Sequence, residues 1–306
     1  MSEDITGKLS ANGAVGAADM KNRAAAIAMT LRKRLLAAAM LSVLLITTAC
    51  ATSDDEGSKK LNTPKALEVG RFASPNLGSV NTYWISGPDG LVLVDGLRTI
   101  PDAENALAQI RENETPVVSI VLTHAHPDHV GGLGVFHEAY PNAPMYAADT
   151  TIHTMATDAM GFYELARSLD GHVYPDHITV PENAIADGAP VKVAGLTLET
   201  KRFGPGETDS STVFYHAPSG SLFTGDLINN KMTPALLEGH TCGWLADLNL
   251  LATAFPDAAT IYPGHGKPGK AKTLIAEQRT YLVFVRKEIR AAIADSSPGG
   301  SEVTAE

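Results

Sequence analysis

From about residue 61 to residue 295 the chain alternates between two hydrophobic rhythms. "VNTYWISG" and "LVLVDGL" are apolar runs of strand length on either side of a Pro-Asp-Gly turn, which predicts a hairpin. "PDAENALAQIREN" opens on Pro, carries acids early and repeats Ala and Leu at helical spacing. "VVSIVLTH" is apolar almost without interruption, the mark of a strand covered on both faces. A short helix over "VGGLGVFHEAY", a strand over "APMYAA" and a helix over residues 149–167 are predicted next. Further on, "VKVAGLTLETKRF" and "TVFYHAPSGSLFTGD" alternate as hairpins and "WLADLNLLATAF" is helical. "ATIYPGHG" is a strand running into a loop, and "KTLIAEQRTYLVFVRKEIRAAIA" is a long amphipathic helix. Strands and helices alternate in two successive runs. This predicts a layered α/β domain with helices flanking buried sheets.

The flanks break that rhythm. Arg32-Lys33-Arg34 leads into an apolar run over residues 35–46, then Thr-Thr-Ala and Cys50. A basic start, an apolar run too short for a comfortable membrane span and small residues before a cut describe an export signal over residues 1–49. Cys50 resembles the lipidated first residue of a bacterial lipoprotein, although Thr47 stands where Leu or Val is commoner. An ordinary signal cut after Ala51 is the alternative. The Ala-rich residues ahead of Met29 lie outside a compact leader and make Met29 a candidate start. Residues 50–60 are small, polar and charged, a predicted tether, and residues 296–306 are predicted to be disordered. The expected location is outside the cytoplasm, on the periplasmic or cell-surface face, with a lipid on Cys50 in the membrane.

Composition changes this picture little. Of 306 residues, 44% are hydrophobic and 19% charged, enough for a sizeable core. A formal net charge of -10 argues against nucleic acid as a partner, since phosphates need a basic face. Only Cys50 and Cys242 are cysteines, so no disulfide framework is expected, and Cys242 reads as a small buried apolar residue.

The chemistry is concentrated in "VLTHAHPDHVGG", which crowds His124, His126, Asp128 and His129 into a loop behind an apolar strand. A strand end fixes the backbone, so side chains leaving it are already positioned. His124 and His126 can face one spot while Asp128 and His129 face a neighbouring one. Two metal ions side by side would account for the crowding. Pro127 stiffens the loop, and Gly131-Gly132 lets the next helix pack close.

"THAHPDH" matches the T-H-x-H-x-D-H signature of the metallo-β-lactamase fold superfamily. "GPGETDSSTVFYHAPSGSLFTGDLI" resembles its third and fourth motifs and "YPGHG" its fifth, in the family's order. The likeness covers most of residues 61–295 and implies a four-layer αββα sandwich with a hydrolytic metal site at one sheet edge. It implies that His124 and His126 bind a first metal, that Asp128, His129 and His265 bind a second, and that Asp226 bridges them. Where most relatives have Gly-His-Thr, this chain has Gly206-Glu207-Thr208. Glu207 can replace the missing histidine, because carboxylates are zinc ligands. Secreted alkylsulfatases are a branch that uses Glu in this way.

With Glu207, two divalent ions, three carboxylates and a hydroxide sum to zero formal charge, so the hydroxide forms at higher pH but attacks more readily. Zinc is the expected metal, with manganese or iron made more acceptable by the third carboxylate. The resemblance implies attack by a hydroxide held between the metals and oriented by Asp226, with Asp128 passing a proton to the leaving group. Esters, thioesters and lactones are the expected substrates, as in the glyoxalase II-like and lactonase branches. β-Lactams, sulfate esters and a non-catalytic binding role are the alternatives. The segment 227–244 begins beside the metals, which makes His240 a candidate pocket residue. Met155, Met160, Phe162 and Tyr163 lie in a region able to cover the pocket, with packing the simpler role for each.

Overall fold

The computed structural model describes residues 66–76 and 80–296. The predicted leader, the predicted tether with Cys50, and residues 297–306 of the predicted tail lie outside the described residues.

Two six-stranded mixed sheets form the centre. The first runs in chain order through β1 (Val69–Ala73), β2 (Asn81–Gly87), β3 (Gly90–Val94), β4 (Val117–Val121), β5 (Met145–Ala148) and β6 (Asn183–Ile185). The second comprises β7 (Val191–Val193), β8 (Leu196–Phe203), β9 (Ser211–His216), β10 (Ser221–Asn229), β11 (Thr260–His265) and β12 (Gly269–Lys270). Strands β3 to β6 are parallel neighbours, as are β10 and β11, and the other pairs are antiparallel.

Period-two geometry explains the buried runs. In β3, Leu91 and Leu93 pack outward with Phe136 and Ile110, while Val92 and Val94 pack inward with Phe214 and Phe223 of the second sheet. A strand apolar on both faces needs cover on both. The outer face of the first sheet is covered by α1 (Ile100–Arg111), α2 (Pro127–Val130), α3 (Leu133–Ala139), α4 (Asp149–Thr157) and α5 (Phe162–Asp170). That of the second is covered by α6 (Thr241–Ala254) and α7 (Ala271–Ser296). The result is the four-layer αββα sandwich. Buried Trp244 of α6 donates its indole N–H to the Leu227 carbonyl of β10 at 2.9 Å, which fixes one outer helix to its sheet. Among the described residues, no helix is long and apolar enough to cross a membrane.

Two predicted helices are divided. The one expected over "VGGLGVFHEAY" becomes α2 and α3, parted at Gly131-Gly132. A side chain at Gly131 would meet the Arg98 carbonyl at 2.0 Å, so this stretch packs as closely as the glycine pair predicts. The helix expected over residues 149–167 breaks between Asp158 (φ 44) and Gly161 (φ 68). There the Asp158 carboxylate accepts from the Tyr163 and Glu164 N–H groups and starts α5 afresh. Strands β1, β6 and β12 were not expected; each is short and lies at or beside a sheet edge.

Candidate metal centre

The parallel strands β4, β10 and β11 end at the same edge of the sandwich, where polar groups gather beyond the carboxyl ends of strands. β4 delivers the loop with His124, His126, Asp128 and His129. β10 carries Asp226 in its irregular second half, and β11 ends on His265. Glu207 comes from the loop between β8 and β9. Two groups of potential ligand atoms result, each within 4.8 Å: His124, His126, Glu207 and Asp226, and Asp128, His129, Asp226 and His265. Asp226 belongs to both. Its approach depends on Gly264, where an added Cβ would lie 1.8 Å from Asp226 Oδ1.

Hydrogen bonds behind the cluster set the tautomers. Asp95, just past β3, accepts at Oδ2 from the Thr123 hydroxyl at 2.8 Å and from His129 Nδ1 at 2.8 Å. The hydroxyl has spent its proton on Asp95, so at 2.9 Å it accepts from His124 Nδ1. Both imidazoles therefore turn an Nε2 lone pair inward. His126 has the opposite tautomer. Its Nε2 donates to Glu238 Oε1 at 3.0 Å, leaving Nδ1 towards Glu207 Oε1 at 3.1 Å. On the second group, His265 Nε2 lies 3.2 Å from Asp128 Oδ2 and 3.1 Å from Asp226 Oδ2.

Protons and cations compete for these atoms. Burial opposes a charge on His129 and His265, but the neighbouring carboxylates, Asp226 foremost, outweigh it and push them up to about 10 and about 11. Burial likewise opposes charge on His126, yet Glu207 and Glu238 hold it well above the usual histidine range. His124 is held well below that range by burial and by His129 and His126. Asp226 is held low against its burial by His265 and His129, whereas burial raises Glu207 in spite of His126. A divalent ion would displace the protons and take their place.

Of the twelve buried side-chain atoms without a hydrogen-bond partner among the described residues, five lie in these two groups: His124 Nε2, His129 Nε2, both Glu207 oxygens and Asp226 Oδ1. A buried carboxylate without donors is costly unless a cation faces it. The mixed imidazole and carboxylate set suits zinc and is compatible with manganese or iron.

The sequence profile of the metallo-beta-lactamase superfamily matches residues 75–265. The chain belongs to that superfamily. It is 24% identical over 230 residues to a linear primary-alkylsulfatase of a Pseudomonas species, covering 63% of this chain and 42% of that one. It is 26% identical over 228 residues to an atrochrysone carboxyl ACP thioesterase of Emericella nidulans, covering 71% of this chain and 64% of that one. The chain thus spans less than two thirds of the length of these curated relatives. A metallo-beta-lactamase family protein from Thermus thermophilus superposes with a TM-score of 0.59 at 24% identity, covering 76% of this chain and 83% of that one.

His126, Asp128, Asp226 and His265 are among the residues lining a cleft of about 310 Å³. Phe162 lines it, whereas Tyr163 and Met155 are buried in packing and Met160 is 57% exposed. His240 precedes α6, lies 3.4 Å from exposed Asp209 and is not among the residues lining this cleft. Cys242, expected to be buried, is exposed at the start of α6, because its side of the first helical turn faces away from the second sheet. Sequence reasoning missed Asp95 and Glu238. Asp95 had a signal, an acid directly after the apolar run "LVLV"; Glu238 sits in a segment without periodicity and had none.

Proposed function

We propose that the protein is an exported dinuclear metal-dependent hydrolase acting on an ester, thioester or lactone. The observation that carries this reading is the sharing of Asp226 by two ligand groups, in which His124 Nε2, His129 Nε2, both Glu207 oxygens and Asp226 Oδ1 are buried without a hydrogen-bond partner. His124, His126 and Glu207 would hold one ion, Asp128, His129 and His265 the other, and Asp226 both. When bound, two divalent ions supply Lewis acidity and a water acidic enough to serve as nucleophile near neutral pH.

The chain contributes position and proton handling. Asp95 and Glu238 hold three imidazoles in the tautomers that turn lone pairs inward. In hydrolysis the bond from acyl carbon to oxygen or sulfur breaks, the water oxygen joins the carbon, and a proton passes to the departing atom. Asp128, the most exposed of the cluster's side chains at 20%, borders the cleft and is the group proposed to hand over that proton. The thioesterase relative supports an acyl substrate, and the alkylsulfatase relative keeps sulfate esters in the test. The export and the Cys50 lipid rest on the sequence pattern.

The full chain, loaded with zinc or manganese, should bind two metals by elemental analysis. It should turn over at least one substrate from a panel of esters, thioesters and lactones, with chelation abolishing the activity and metal restoring it. Turnover confined to β-lactams or sulfates would overturn the substrate assignment. Two bound metals with no turnover would point to a binding protein. Labelled fatty acid should join the wild type and not Cys50→Ser; no label in either would remove the anchor.

A further inference from the structure

The cleft beside the cluster has walls that the hydrolytic reading leaves unexplained. On one side, Phe162, Leu165 and Leu169 of α5 follow one another at helical spacing along a single face. On the other, Met232 and Leu237 come from the segment joining β10 to α6. Leu165, Leu169 and Leu237 are 53%, 70% and 72% exposed. Large aliphatic side chains grouped at the mouth of a site, and left in water, mark a surface that a ligand covers.

The wall on the α5 side is held firmly. Asp158 caps its first turn, and the Tyr163 hydroxyl donates to the Ala125 carbonyl at 2.7 Å, inside the loop that carries the histidines. Tyr163 and Ala166 are buried, so the helix presents its cleft face at a fixed distance from the cluster. Charge is also accounted for. Arg98, the cationic side chain among those lining the cleft apart from histidine, is committed to Asp170 at 2.6 Å. A polar or anionic substrate arm would find few partners here, whereas an apolar chain needs none.

We propose that the cleft binds a linear apolar acyl chain whose carbonyl end lies at the cluster, so that the substrates are fatty acyl esters or thioesters. This rests on the hydrolase reading. The alkyl chain of a sulfate ester has the same chemistry, and the experiment separates the two sources.

Binding is measured first, without turnover, by calorimetric titration of the metal-loaded full chain with butanoate, hexanoate, octanoate and decanoate. The carboxylate is constant along the series, so any trend belongs to the chain. Affinity should rise roughly two- to fourfold per added methylene until the chain outgrows the cleft. The double variant Leu169→Gln/Leu237→Gln changes side chains that are largely in solvent and should flatten the series, while Phe284→Gln, on exposed α7 surface, should leave it unchanged. A flat series in the wild type overturns the proposal whether or not esters are cleaved. A rising series that the double variant preserves overturns it as well, since the chain then lies elsewhere. Turnover is measured second, with phenyl acetate, phenyl octanoate and octyl sulfate. Preference for the octanoate supports the acyl chain, and cleavage of octyl sulfate alone overturns it. A rising binding series with none of the three cleaved would leave the apolar site standing and overturn the hydrolase reading instead.

Discussion

The histidines of the two halves, which share Asp226, are not equally supported from behind. His129 is held from behind by Asp95, which is 2% exposed, sits at a strand end and also accepts from the Thr123 N–H at 2.8 Å. His124 reaches the same acid through the Thr123 hydroxyl. His126 has no such support from the core. Its brace is Glu238, on a surface segment, whose carboxylate also accepts from Thr208 Oγ1 at 2.9 Å and the Asp209 N–H at 2.8 Å. Glu238 therefore ties together the loop carrying Glu207 and the loop lining the cleft. The core thus supports a histidine in each half, while the hold on His126 depends on two loops keeping their contact.

Removing the shared residue should abolish the distinction. Asp226→Ala should weaken metal binding at both positions by more than the roughly 10–100-fold that loss of an outer partner costs. Elemental analysis at limiting metal should find neither position filled; one metal retained at full strength would show that Asp226 serves a single ion. Glu207→Ala should separate the halves, leaving about one metal per chain and an activity loss of at least roughly 10–100-fold that excess metal partly restores. Glu207→His should keep two metals. Equal metal affinity in wild type and both variants would make Glu207 a loop carboxylate only.

The braces provide a finer contrast. Asp95→Asn sets an amide against groups that now share a buried acceptor, and should cost about 1–3 kcal/mol of stability in urea melts besides weakening metal binding. Glu238→Gln, in a loop, should lower affinity at the His126 position by about tenfold while moving the melt little. If the two variants behave alike, the distinction between core and loop support fails.

The smallest effect concerns the packing under Glu207. Asp247 of α6 lies where a Cβ on Gly206 would come within 2.5 Å of its Oδ2, and burial raises its pKa from 3.8 to about 6 against the pull of the Gly204 N–H. A carboxyl with a raised folded pKa favours folding below the unfolded value, and that contribution is lost as pH rises through the folded value. Asp247→Asn should therefore gain stability above about pH 6 and none below about pH 4, by at most about 1 kcal/mol given its part-exposure. Melts at both pH values test this, with metal affinity expected to stay constant.

What could be read in the sequence follows from range. β2, β3, β4 and the helix α7 announce themselves because each carries its own period over enough residues. β6 and β12 have three and two residues and exist through the strands they pair with, which no local pattern encodes. The break at Asp158 was hidden because apolar positions continue at helical spacing across it. The ligand-type residues stand out by residue type and motif order, whereas Glu238 lies 112 positions from the histidine it braces. Cys242 was misread because residue type alone says nothing of which side of α6 meets the sheet.

The segment between β10 and α6 has two duties: Met232 and Leu237 form a cleft wall, and Glu238 holds the His126 ring. On the proposed reading, selectivity and metal retention are therefore inherited together. Grafting this loop from a relative to retarget the enzyme would also remove the acceptor that fixes His126, unless the donor loop brings a carboxylate to the same place. It is not an interchangeable cassette, and variants selected for a new substrate should show their first side effect as a changed appetite for metal.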